Sequence, residues 1–125
     1  MTYLYLAIFA ILGAFARYQQ TLIVQALTGP GFPWATLSIN VLGSGVMGFL
    51  FFETLERITM SPKLRTGLLT GGLGAYTTFS TFSIETYHLL ARGDIGRALL
   101  YITSSVGLSL IAVFLGAYLS RSIGV

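Results

Sequence analysis

The chain has no cysteine, and only four acidic and seven basic residues among 125. The first absence excludes a disulfide framework, a thiolate metal site and a thiol redox switch. The second excludes an ordinary soluble surface, because charged residues make up 9% of the chain against about 25% in soluble domains. The basic residues form no clustered face, so the net charge of +3 points to anionic headgroups rather than to nucleic acid. No carboxylate pair, histidine cluster, nucleophile elbow or phosphate loop occurs, which argues against an enzyme. A cleavable leader is not expected either: positions 1–16 lack a charged n-region and a small-residue cleavage site.

What is there is apolar. Hydrophobic residues make up 54% of the sequence, more than a soluble protein of this length can bury. One membrane domain, 1–125, is the ordinary solution. The uncharged runs predict four spans at about 3–27, 33–54, 64–90 and 96–121. Each meets the requirement of about 20 residues for a core of about 30 Å, the first only if it continues past Arg17. The turn signal Thr28-Gly29-Pro30-Gly31-Phe32-Pro33 separates the first two spans. Charges around 57–62 separate the second from the third. A loop holding His88, Arg92, Gly93, Asp94 and Gly96 is expected before the fourth, with His88 a loop residue and not a ligand.

Four spans put both termini on one side. That side carries Arg57, Lys63, Arg65 and Arg121; the other carries Arg92 and Arg97, plus Arg17 if it reaches out. The difference is a weak positive-inside signal. It predicts that copies insert both ways and pair as an antiparallel, dual-topology homodimer. A four-helix protomer also has little room for an internal pore, so oligomerisation is expected on size alone.

The unusual stretch is Gly71 to Glu85. Between Gly71 and Ser83 lie three glycines and five hydroxyl side chains, namely Thr77, Thr78, Ser80, Thr81 and Ser83. Glycine loosens a helix, and loosened backbone survives in hydrocarbon only where protein or a water-filled cavity satisfies it. We therefore expect a third helix broken near its middle and lining an ion path; a Ser/Thr-rich helix packing on its neighbours is the plainer alternative. On the second span Thr36, Asn40 and Ser44 share one face, and the Asn40 amide offers donors suited to an anion or to a neighbouring helix. On the fourth, Tyr101, Ser105 and Ser109 form a hydroxyl ladder that stops at Val113. Phe79 and Phe82 share a face of the third and present ring edges or core packing. Arg17 faces a cavity or snorkels to the interface, and Glu85 is interfacial.

These motifs together resemble the Fluc/CrcB family of fluoride ion channels of microbial membranes. The resemblance rests on Gly13-Ala14-x-x-Arg17, Thr36-x-x-x-Asn40-x-x-Gly43 and the stretch Gly71 to Glu85, with Thr77-Thr78-Phe79-Ser80-Thr81-Phe82 its specific centre. It implies a fluoride-selective passive channel, exporting cytoplasmic fluoride across the inner (plasma) membrane through two pores per antiparallel dimer. Fluoride would pass Asn40 and the edges of Phe79 and Phe82, with Ser80, Thr81 and Thr36 nearby and Tyr101, Ser105 and Ser109 as a polar track. Arg17 would sit toward a vestibule. Backbone carbonyls of Gly74 and Thr77 from both subunits would hold one structural sodium ion (Na+) at the dimer centre. Two departures stand out: Ala75-Tyr76 precedes the threonine pair where relatives often carry Gly-Leu or Gly-Phe, and Val113 lacks a hydroxyl. The alternatives are a small multidrug-type proton-coupled exporter, which needs a carboxylate in the first span, and a non-transporting assembly subunit, which predicts no flux.

Overall fold

A computed structural model describes residues Met1–Ile123. Helix α1 (Thr2–Thr28) ends where Gly29 turns to φ 73°, a conformation that costs a glycine nothing. After the proline-containing turn comes α2 (Trp34–Glu56). Ser61 then caps α3 (Pro62–Thr66), accepting from the Leu64 amide at 3.2 Å, with proline at the first helical position. The rod continues through a π-helical stretch, Gly67–Leu73, into the single turn α4 (Gly74–Tyr76). There it stops: Thr77 and Thr78 are extended, with ψ of 161° and 124°. Helix α5 (Phe79–Ala91) restarts the rod, and after a turn at Gly93 (φ 78°) α6 (Ile95–Ile123) closes the chain. No strand occurs among the described residues.

The fold is thus all-helical. Helices α1, α2 and α6, of 27, 23 and 29 residues, are each long and apolar enough to cross a membrane. At 1.5 Å per residue they reach about 35–44 Å, more than the hydrocarbon core requires. The segment before α6 is shorter than expected from the sequence. His88 is helical, in the last turn of α5, and the loop is only 92–94, because Gly93 turns the chain within three residues.

Small residues set the packing. Helices α2 and α6 meet backbone to backbone: a Cβ on Gly116 would strike the Gly45 carbonyl, and one on Gly48 the Val113 carbonyl. Helix α1 lies against the π-helical stretch in the same way, with Gly67 on Tyr5 and Gly71 on Leu6. The formal GxxxG of 67–71 therefore serves contact within the chain. Leu37, Phe82, Leu89, Ala98 and Tyr101 form a core under the α1–α2 turn. At the opposite end Glu53 is buried, only 7% exposed. It pairs with Arg57 and accepts from the Ser120 hydroxyl at 2.8 Å, while Arg57 donates to the Ser120 carbonyl at 2.7 Å. The bonds tie α2 to the end of α6, and the donors compensate a carboxylate that is costly to bury alone.

Candidate functional site

The break at 77–78 is held from three directions. Asn40 of α2 clasps the main chain of Thr78: its Nδ2 donates to the Thr78 carbonyl at 3.0 Å, and its Oδ1 accepts from the Thr78 amide at 2.9 Å. This is the two-bond pattern of a β-pair, made by a side chain. The Arg17 Nε of α1 donates to the Ala75 carbonyl at 3.2 Å, setting a cation on the negative end of a helix. The Tyr76 hydroxyl donates to Gln20 Oε1, and Gln20 Nε2 reaches Ser38 of α2 at 3.2 Å. Thr78 then starts α5, its hydroxyl accepting from the Thr81 amide at 3.2 Å and donating to the Thr81 hydroxyl at 3.1 Å.

The clasp has a consequence for the carbonyls. In an unbroken helix the Thr78 amide would serve the carbonyl of Gly74, four residues back. Here that amide is spent on Asn40, so the Gly74 carbonyl loses its helical donor. The Thr77 amide still reaches the Leu73 carbonyl at 3.0 Å, and the Thr77 hydroxyl donates to the same oxygen at 3.0 Å. Carbonyl oxygens released at a helix end are hard ligands of the kind that suits an alkali cation.

Beside the break lies a cavity of about 290 Å³. Asn40 and Ser44 of α2, Thr77 and Thr78, Phe79 and Phe82 of α5, and Ser105 and Ser109 of α6 line it, with Val106 and Leu110. A second cavity, of about 230 Å³, continues along Ser44, Thr77 and Ser109 to Gly43 and Val113. The Phe79 and Phe82 rings are 5.5 Å apart and tilted by 55°. Phe82 is buried, whereas Phe79 is 77% exposed, so a single chain leaves that side of the cavity uncovered.

Ser105 stands out chemically. It is 7% exposed, and its hydroxyl oxygen has no hydrogen-bond partner. A buried hydroxyl without a partner costs about 1–3 kcal/mol, and this one lies at the lining of a cavity. Asn40 contributes there as well, since its clasp uses only one of its two N–H donors.

The other expected residues fall around this centre. Thr36 is buried one turn from Asn40, and Tyr101 is wholly buried, its ring 5.1 Å from Phe82. The Tyr101 hydroxyl donates to Glu85 Oε1 at 2.9 Å, which ties Glu85 to α6. Ser80 is exposed, and Thr81 is engaged with Thr78. None of Thr36, Ser80, Thr81 and Tyr101 lines the two cavities. Arg17 is occupied with the Ala75 carbonyl. Sequence reasoning missed the part Thr78 plays, which its place before α5 and its spacing to Thr81 signal as a helix cap.

The chain is similar to known proteins along nearly all of its length. The family model described as "CrcB-like protein, Camphor Resistance (CrcB)" matches residues 4–117. A protein of Acidithiobacillus ferrooxidans named fluoride-specific ion channel FluC is 64% identical over 121 residues, covering 97% of both chains. Fluoride-specific ion channel FluC 1 of Moorella thermoacetica is 49% identical over 97% of this chain and 86% of its own. The namesake from Magnetococcus marinus is 45% identical, over 95% of this chain and 97% of its own.

Proposed function

This chain belongs to the CrcB family of multi-pass membrane proteins, and from that premise we propose that it is a passive channel selective for fluoride. The observation that carries the reading is the Ser105 hydroxyl, buried and unpartnered where the Asn40 amide and the Phe79–Phe82 pair meet. Fluoride is small and strongly hydrated, so a path must return donors for the water it removes. The lining supplies amide, hydroxyl and ring-edge donors and no acidic side chain. Its relatives carry the fluoride-specific name. A path without a titratable carboxylate lacks the group on which proton coupling usually turns, which favours a passive channel, and α1 has no acid with which to run a proton-coupled exporter. Hydrogen fluoride crosses membranes uncharged and dissociates inside. A negative interior then drives the anion outward with about 2.3 kcal/mol per 100 mV.

The working unit in this reading is a pair of inverted copies in the plasma membrane. The rod 62–76 with α5 is one broken transmembrane span, making four spans per copy. The copies would meet at the face that carries the exposed Phe79 and the released Gly74 carbonyl. Each copy contributes to two separate paths. The Gly74 and Thr77 carbonyls of both copies would together hold one sodium ion, which supplies positive charge at the junction and fixes the break. Asn40, Phe79, Phe82, Ser105 and Ser109 contact the passing anion, with Tyr101, Thr36, Ser80 and Thr81 along the approach. Arg17 holds the α4 end and lends its charge to the vestibule.

The test is fluoride efflux from liposomes holding purified protein, followed with a fluoride electrode. Wild-type protein should empty the vesicles. Phe82→Ile and Asn40→Asp should slow efflux by about a hundredfold or more, since Asp sets a second acceptor against the Thr78 carbonyl and a negative charge on the path. Vesicles that retain their fluoride with wild-type protein would sink the proposal and favour a non-transporting subunit.

A further inference from the structure

The two cavities beside the break share Ser44, Thr77, Ser109 and Leu110, but their far walls differ in what they can offer an anion. Helices α2 and α6 run parallel: Arg97 near the start of α6 reaches the Gly31 carbonyl ahead of α2, and Arg57 after α2 reaches the Ser120 carbonyl near the end of α6. Their lining residues therefore advance together. Asn40 and Ser105 come first, Ser44 and Ser109 second, Met47 and Val113 third. Three or four residues separate one layer from the next, a rise of about 5–6 Å.

The first two layers carry an amide and three hydroxyls. The third carries neither. Leu73 and Leu110 join Met47 and Val113 around the second cavity, and none of these four side chains has an N–H or O–H to give. Thr77 also lines this cavity, but its hydroxyl is committed to the Leu73 carbonyl at 3.0 Å. The wall here is stiff as well. Gly48 lies so close to the Val113 carbonyl that a Cβ would strike it, and Gly116 stands in the same way on the Gly45 carbonyl. Helices α2 and α6 are thus locked backbone to backbone at the third layer and within a turn of it.

We propose that Met47, Leu73 and Val113 form an apolar collar where the ladder of donors ends, and that this collar sets the rate of passage. An anion beyond the serine layer finds no side-chain donor to replace the water it sheds, and stripping that water without replacement is costly. Apolar sections of a pore also tend to lose their own water. The inference rests on the channel reading and adds to it a division of labour. The donor-lined section discriminates between anions, and the collar limits how fast the accepted one moves.

The experiment is single-channel recording of purified protein in planar bilayers. Equal sodium fluoride on both sides reads the rate, and fluoride against chloride reads the preference. Met47→Gln keeps the length of an unbranched side chain and brings an amide donor to the collar. It should raise fluoride conductance about tenfold, the worth of one hydrogen bond to a charged group, and leave the reversal potential where it was. Val113→Ala should raise conductance by widening the collar, and Val113→Leu should lower it by narrowing. Where Met47→Gln yields no folded protein, the Val113 pair decides. A conducting wild type whose rate is unchanged or lowered by Met47→Gln, or is the same in both Val113 variants, overturns the collar and leaves the channel standing. A reversal potential that moves toward chloride in Met47→Gln also overturns it, because the layer then belongs to the discriminating section. A wild type that carries no fluoride current overturns the channel reading and the collar with it.

Discussion

Ser105 and Asn40 divide the work of the site between them. Asn40 spends its carbonyl and one N–H on the main chain of Thr78. Ser105 spends nothing on the protein. Removing an unpartnered buried hydroxyl relieves a desolvation cost, so Ser105→Ala should leave thermal stability unchanged or slightly raised, by about 1 kcal/mol at most. If the hydroxyl instead serves the anion, the same change should slow fluoride flux about tenfold, the worth of one hydrogen bond to a charged group. Unfolding in detergent and efflux from vesicles read the two effects separately; a loss of stability in step with flux would make Ser105 a packing residue. The sequence showed Asn40 on a polar face with Thr36 and Ser44, but not what it bonds. Its partner is a backbone amide 38 residues away, and a backbone group leaves no mark on residue type. The Tyr76–Gln20 and Glu53–Ser120 bonds were illegible for a related reason: each joins residues more than fifty positions apart, and neither has a local spacing rule.

At the scale of elements, the long helices were legible and the third rod only partly so. Uncharged runs bounded by charges or by a proline turn are enough to place α1, α2 and α6, because the bilayer fixes the length such a run must have. The glycines and hydroxyls of 71–83 suggested a break near the middle of the helix but not the π-helical stretch that leads to it. The chain first widens into a π-helical stretch where Gly67 and Gly71 let α1 approach, and only then opens at 77–78. That sequence of events depends on Tyr5 and Leu6 of a different helix. Under the inverted-pair reading the opened end is where two copies face each other. Gly74 has an ordinary helical φ of −62° and room for a Cβ, with its nearest neighbour at 4.0 Å. A chain without cysteine makes the test clean: Gly74→Cys in membranes should give a covalent dimer with a short thiol cross-linker, and sodium should slow the reaction. Monomer alone under the same treatment would contradict the pairing.

For the whole molecule, composition settled the class before any motif did. Apolar residues this abundant and charges this few belong in a bilayer, and apart from Arg17 at the break most of the remaining charge lies near helix ends. There it ties helices together, as Arg57 does for α2 and α6 and Arg97 for the turn and α6. The interior keeps donors without acids beside a broken main chain, an environment suited to one small anion. Passive, selective passage of that anion is the central claim, and a bi-ionic recording tests it most directly: purified protein in a planar bilayer, sodium fluoride on one side and sodium chloride on the other. The account predicts a current that reverses far toward the fluoride equilibrium potential. Reversal near zero, or a current that follows sodium when the cation alone is exchanged, would contradict it.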